Sequence, residues 1–373
     1  MRTVHYDALV IGLGVMGSAC ADTLARKGLS VLGVERSPEH DGDGASFGGS
    51  RLFRAHPGKP ALTAAGRAAA RLWADLEHDA ARPLFVPTGG VTVCADPAEF
   101  AASGSRVLTR TEMRNLLPGV RIAADEYGVL EPDAGILLAE DCVAALRARA
   151  VRSGARLQFG HTADPIDLTN TDGPVRVRIG AETVTTERLV LATGAWAAAM
   201  ELDGMPELSV ERAVVHWLAD PVPTPAPFVI FDQDPTPFGL FPAVGGRAAK
   251  FGRFSTGVLV DPLDPATGVD PATVSDDLAQ LRDRLPAVGT RPGLRSTVCR
   301  YTNTPDGALT VARPTRRVAA VCACSGIGFK FAPVVGQLVA DVLTDGRTEY
   351  SSDAVTVCGP GESPATGDGL PTA

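Results

Sequence analysis

The sequence predicts an α/β protein of two domains, and three observations carry that expectation. Short apolar runs alternate with stretches of helical periodicity, the pattern of a parallel sheet covered by helices. The first run passes into glycines spaced Gly12-x-Gly14-x-x-Gly17 and then into a helix, which is the start of a β-α-β unit. The chain has 373 residues, 45% of them hydrophobic, more than one core usually organises.

The elements follow in order. Residues 7–11 form an apolar run suited to a buried parallel strand, and 16–27 continue at helical spacing until Gly28 stops them. Residues 30–35 read as the second strand. A longer helix is predicted over 61–79, with Leu62, Ala65, Ala69, Leu72 and Leu76 on one face. Alternation marks a strand at 90–94, and Thr109 with Glu112 has capping-box spacing before a short helix. Residues 139–153 read as a helix ended by Gly154, and 175–179, 183–185 and 189–192 as strands. The proline-rich stretch 221–242 is expected in loops and edge strands. Residues 318–322 form a further buried strand that runs through Ser325-Gly326-Ile327-Gly328 into a helix over 332–343. The Gly-, Pro-, Ser- and Thr-rich tail after Tyr350 (351–373) is expected to be disordered.

Composition narrows the partners. A net charge of −8 offers no basic face for nucleic acid. Seven irregularly spaced cysteines make neither a disulfide framework nor a zinc pattern, so a reducing cytoplasm and no metal centre are expected. The amino terminus shows no secretory leader, and no stretch nears the roughly 18 uninterrupted apolar residues of a membrane span.

The glycine triplet alone is weak evidence in a chain with 40 glycines. Its context is stronger: a strand precedes it, a helix follows, and Glu35 ends the next strand 18 residues beyond Gly17. The first glycine permits the turn, the second admits a pyrophosphate against the backbone, and the third lets helix and strand pack closely. The helix N-terminus offers free N–H groups to the phosphates, and Glu35 can accept from ribose hydroxyls. A dinucleotide site is predicted, with NAD and FAD both open at this point.

Five motifs occur in one order: 7–17 (Asp-Ala-Leu-Val-Ile-Gly-Leu-Gly-Val-Met-Gly), Gly48-Gly49-Ser50-Arg51-Leu52-Phe53-Arg54, Ala192-Thr193-Gly194-Ala195-Trp196, Val298-Cys299-Arg300-Tyr301-Thr302, and Ser325-Gly326-Ile327-Gly328-Phe329-Lys330-Phe331. With these, the chain resembles the sarcosine oxidase and N-methyltryptophan oxidase branch of the D-amino-acid-oxidase-like flavoenzymes, from Tyr6 to about Tyr350. The resemblance implies FAD, bound by Gly12, Gly14, Val15, Met16, Gly17, Glu35, Arg36, Ser46, Arg51, Gly194, Gly326, Gly328 and Lys330. It implies a thioether from Cys299 to the flavin 8α-methyl, where the plainer reading of Cys299 is a buried core thiol. Arg54 and Lys330 would clamp the substrate carboxylate, assisted by the Tyr301 hydroxyl, and Lys250 would promote reaction with oxygen. By composition alone, Lys250 reads as an ordinary exposed lysine.

The chain departs from the family at three positions: Phe254 and Ile327 replace histidines, and Gly239 replaces a pocket tyrosine. These changes argue against sarcosine and for a bulkier N-methyl or cyclic imino acid. The expected reaction is oxidation of a C–N bond next to a carboxylate, giving an imine and hydrogen peroxide. The alternatives are an FAD-dependent dehydrogenase with a non-oxygen acceptor, an NAD-dependent dehydrogenase and a non-catalytic flavin subunit. The expected architecture is a Rossmann-type FAD domain from 1–86, 142–205 and 304–350, intertwined with a mixed-sheet substrate domain from 87–141 and 206–303. A monomer is expected.

Overall fold

Two large sheets organise the chain, and the segments that build them alternate along the sequence. The computed structural model describes residues 3–39, 44–55, 60–100, 104–166, 168, 173–200, 202, 204–218, 224–232, 236–264, 268–289, 293–345, 348, 350 and 355–359. The first third of the chain holds β1 (Thr3–Ile11), α1 (Val15–Arg26), β2 (Val31–Glu35), β3 (Ser50–Phe53), α2 (Pro60–Ala80), β4 (Phe85–Val86) and β5 (Gly90–Cys94). Then come β6 (Arg106–Val107), α3 (Arg110–Leu116), β7 (Tyr127–Glu131), β8 (Gly135–Leu138), α4 (Ala139–Arg152), β9 (Arg156–Phe159), β10 (Val175–Ile179) and β11 (Glu182–Leu191). The remainder holds β12 (Ser209–Leu218), β13 (Phe228–Phe231), β14 (Phe238–Phe241), β15 (Lys250–Arg253), α5 (Pro271–Arg284), β16 (Leu294–Asn303), β17 (Leu309–Thr315), β18 (Val318–Ala323), α6 (Ala332–Thr344) and β19 (Val355–Cys358).

The first sheet has the order β19-β17-β18-β11-β1-β2-β9, with β10 also paired to β11. β1 lies parallel to both β11 and β2. Its residues alternate between two cores, which is why the run is apolar throughout rather than every second residue. Ala8 and Val10 pack with Ala19 and Leu24 of α1, Leu146 of α4 and Leu338 of α6; Leu9 packs on the other face with Leu32, Val34 and Leu189. The second sheet runs β16-β12-β15-β14-β13-β5-β7-β6, with α5 set on one face through Leu278 and Leu281. A third, small sheet is β3-β8-β4; its Phe53 and Leu137 pack in the first core and its Ile136 with Phe228 and Ile230 of β13.

Most sequence-predicted elements appear within a residue or two, including the capping box, in which the Glu112 N–H donates to Thr109 Oγ1 and the Thr109 N–H to Glu112 Oε2. Three expectations change. The two short strands predicted at 183–185 and 189–192 are one continuous strand, β11, because Thr186 is fully buried and pairs with Tyr6 in the ladder. Within 221–242, β13 and β14 are interior strands; Pro227 and Pro237 stand just before them and remove no ladder donor from either. Within the tail expected to be disordered, Val355–Cys358 pairs in parallel with β17 through Leu309 to Ala312. Residues 351–354 and 360–373 lie outside the described residues. Among the described residues, no helix is long and apolar enough to cross a membrane, and no His, Cys, Asp and Glu cluster could hold a metal.

Candidate active site

A cavity of about 350 Å³ opens beyond the carboxyl ends of β1 and β2, where ligands bind in open parallel sheets. Of the residues predicted to bind cofactor, Gly12, Gly14, Val15, Met16, Glu35, Arg36, Ser46 and Gly194 line it. Gly12 has φ +90°, and a side chain there would stand 2.3 Å from the Ala192 carbonyl oxygen. A side chain at Gly17 would come within 1.8 Å of the Gly12 oxygen, so this glycine seats α1 against the turn from behind the cavity. The Val15 N–H at the start of α1 donates to Ser46 Oγ at 2.8 Å, which ties the 44–47 loop to the helix terminus. Glu35 accepts from the Leu13 N–H at 2.8 Å and the Ser37 N–H at 3.1 Å, which fixes its carboxylate at the cavity wall. Arg36 stacks on Trp196 at 3.7 Å from the ring centroid. The glycine cradle, the helix terminus and the anchored acid fit a dinucleotide such as FAD.

The other predicted residues gather beside this cavity, joined to it through Cys324 and Phe329, which line it. Lys250, at the start of β15, is 3% exposed and donates from Nζ to the carbonyls of Gly48, at 3.3 Å, and Ser50. Burial pushes its ammonium well below the usual lysine range; Arg51 acts in the same direction, and Cys299 and Glu140 act against it. Arg51 donates to the carbonyls of Ser50, Ala45 and Phe47 and lies 5.6 Å from the Phe329 ring. Burial raises the Cys299 thiol on β16, with Arg51 and Lys250 opposing it, and raises the Tyr301 phenol two residues on. Gly326 approaches the Tyr301 ring: a side chain there would meet it at 3.4 Å. Gly328 sits under Cys324, with 2.3 Å from its would-be Cβ to the Cys324 Cβ.

Arg54 and Lys330 form the far end of the cluster. Lys330 is 8% exposed; its Nζ donates to the Ile327 carbonyl at 3.0 Å, and its own carbonyl accepts from Trp73 Nε1 at 2.8 Å. Burial, then Arg54, lowers the Lys330 ammonium to about 7, whereas Cys324 and Glu131 favour its charge. Arg54 is not an unpaired cation. Its Nε donates to Glu131 Oε1 at 2.7 Å, and Nη2 reaches the same oxygen.

An apolar wall stands beside Lys250, whose Nζ lies 4.4 Å from the Phe241 ring centroid. Ala134, Ile136, Phe228 and Ile230 pack with Leu52, Phe241 and Phe254. A side chain at Gly239 would stand 2.9 Å from the Phe254 ring, so the missing side chain at 239 and the large one at 254 occupy complementary space. Ile327 is partly buried against the first core.

Four residues absent from the sequence reading help to build the site. Glu140, in the first turn of α4, accepts from the Gly48 and Gly49 N–H groups at 2.8 and 2.9 Å; burial would raise its carboxyl, but those bonds hold it below the usual range. Arg147, which lines the cavity, donates to the Leu13 and Glu39 carbonyls. Trp73 bonds the Lys330 carbonyl, and Glu131 accepts from Arg54. Their partners lie far away in sequence, and no local spacing marks them.

Comparison with known proteins bears on the family and the fold. A family model described as FAD dependent oxidoreductase matches residues 7–342. A monomeric sarcosine oxidase from Streptomyces avermitilis is 33% identical, covering 92% of this chain and 95% of its own. An N-methyl-L-tryptophan oxidase from Salmonella arizonae is 27% identical, covering 91% and 94%. Among solved structures, NikD, an amino acid oxidase of nikkomycin biosynthesis, superposes with a TM-score of 0.81 at 24% identity, covering 93% of this chain and 96% of its own. An L-proline dehydrogenase from P. horikoshii gives 0.78 at 22%, covering 94% and 96%. The chain belongs to the FAD dependent oxidoreductase family, in the branch that holds the monomeric sarcosine oxidases and N-methyl-L-tryptophan oxidases.

Proposed function

We propose that this enzyme oxidises the C–N bond of a secondary or cyclic amino acid to an imine, with oxygen as electron acceptor and hydrogen peroxide as product. The observation that carries the reading is the gathering of Arg51, Lys250, Cys299 and Tyr301 with Arg54 and Lys330 beside the dinucleotide cavity. Arg54 and Lys330 hold the substrate carboxylate, a guanidinium donating two bonds and an ammonium one. Tyr301 donates to the same carboxylate. The wall around Phe254 and Ile136 receives an apolar side chain or ring, which supports an N-methyl or cyclic imino acid over sarcosine. The substrate nitrogen must be neutral, because an ammonium has no lone pair with which to form the C=N bond.

When bound, FAD would supply the two-electron acceptor for this oxidation. Gly12, Gly14 and the α1 terminus, which Gly17 lets pack against the turn, would hold its pyrophosphate, Glu35 its ribose, and Gly326 to Lys330 and Arg51 its ring. Cys299 tethers it by a thioether. Lys250 stabilises negative charge developing on oxygen. We place the residues in two intertwined domains, an FAD domain of 1–86, 142–205 and 304–350 and a substrate domain of 87–141 and 206–303. The similarity to monomeric sarcosine oxidases supports a monomer, and seven irregularly spaced cysteines without a disulfide framework support a cytoplasmic setting. One observation favours a dehydrogenase instead: Lys250 sits where burial and Arg51 both disfavour its charge. A panel of N-methyl and cyclic amino acids, read once by peroxide and once by an artificial electron acceptor, tests both. Turnover with the acceptor and no peroxide selects the dehydrogenase, and no turnover of any carboxylate amine refutes the assignment.

A further inference from the structure

Resting on Arg54 and Lys330 as the carboxylate clamp, we propose that Glu131 fixes the net charge of that clamp at one positive unit. It thereby selects amino acids with a single carboxylate over those carrying a second acid group. Glu131 ends β7 and is 8% exposed. Its backbone is set by the sheet, in register with Gly90, and its carbonyl accepts from the Ala134 N–H at 3.3 Å. The carboxylate therefore meets Arg54 from a fixed strand and not as a swinging surface acid. Arg54 Nε donates to Glu131 Oε1 at 2.7 Å, and Lys330 is disfavoured as a cation by burial and Arg54 and favoured by Cys324 and Glu131, so the pair and Lys330 act on one another.

Below about pH 7, where the Lys330 ammonium keeps its proton, two cations and one anion leave a single positive charge, which one substrate carboxylate neutralises. A second carboxylate would meet the like charge of Glu131 and the apolar residues that begin at Ala134, whose N–H donates to the Glu131 carbonyl. Arg51 and Lys250 turn their donors to main-chain carbonyls between residues 45 and 50. With Glu131 uncharged, the cradle carries two positive charges and suits a diacid.

The test uses the FAD-loaded enzyme and two ligands without an amine, pentanoate and glutarate, titrated by calorimetry at about pH 6, below the Lys330 titration. Wild type should prefer pentanoate. Glu131→Gln should move the glutarate-to-pentanoate affinity ratio toward glutarate by on the order of tenfold or more, the scale of one charge contact several ångströms away in a half-buried site. Glu131→Asp keeps the charge and should keep the wild-type ratio. Because the ratio is taken within one protein, a partial loss of folded material cancels, and Glu131→Met serves if the Gln variant does not fold. A ratio unchanged in the neutral variants, while Arg54→Gln still weakens both ligands, overturns the role of Glu131 and leaves the clamp standing. Loss of both ligands in Glu131→Gln also overturns it, because Glu131 would then be orienting Arg54 and not offsetting it. If Arg54→Gln and Lys330→Gln both bind like wild type, the clamp itself is wrong.

Discussion

Replacing Lys250 with methionine separates the two halves of the proposed reaction. The ammonium is 3% exposed and held by the Gly48 and Ser50 carbonyls, so its charge needs no rearrangement to meet a developing superoxide. Two unit charges about 4 Å apart interact by about 4 kcal/mol at an effective dielectric of about 20. Loss of one preorganised group of this kind costs about 3 kcal/mol, roughly a hundredfold in rate. Stopped-flow measurement of the substrate-reduced enzyme mixed with oxygen should show that slowing in Lys250→Met, while flavin reduction by substrate changes little. Only the protonated lysine can act. Because burial and Arg51 hold its titration well below the usual 10.5, wild-type reoxidation should be fast at low pH and fall as pH rises through that depressed value. Equal slowing of both half-reactions, or reoxidation that stays flat to pH 10.5, refutes the argument.

Acid precipitation should leave the flavin on wild-type protein and release it from Cys299→Ala; free flavin from both would disprove the thioether. Affinity for pentanoate should fall as pH rises through about 7, where the Lys330 ammonium loses its proton, and that pH dependence should vanish in Lys330→Met. A carboxylate bound to wild type should in turn shift the midpoint upward. Gly17→Ala forces a methyl within 1.8 Å of the Gly12 oxygen, so it should cost about 3 kcal/mol by thermal unfolding and weaken FAD retention; wild-type values for both would contradict the packing.

The parts of the fold legible in sequence are those whose cause is local. The β1 to β2 unit announces itself because glycine spacing, helix period and strand composition fall within 35 residues. The α3 capping box is equally local. By contrast, β3, β7 and β8 are four or five residues long and find their partners across long loops, so no periodicity separates them from loop. At the site, the family resemblance gives Arg54 and Lys330 as members but not their counter-ions. Arg54 meets Glu131 across 77 residues, and the Gly48-Gly49 turn meets Glu140 across about 92. Such pairs are products of topology, and a single sequence carries no spacing rule for them.

The parallel pairing of β1 sets a condition on synthesis. Thr3 aligns with Thr183 and Ile11 with Leu191, and the other flank of β2 waits for Arg156 to Phe159. A ribosome adding about 5–20 residues per second needs roughly 10–40 s to deliver the strand that completes the ladder. Through that interval the nascent β-α-β unit exposes an apolar strand with open edges, the kind of surface that recruits other chains. The glycine turn therefore cannot mature as an early, self-sufficient nucleotide site. Holdase chaperones and the supply of free FAD should matter most after the middle of the chain has emerged, and truncations ending before residue 191 should be recovered as aggregates.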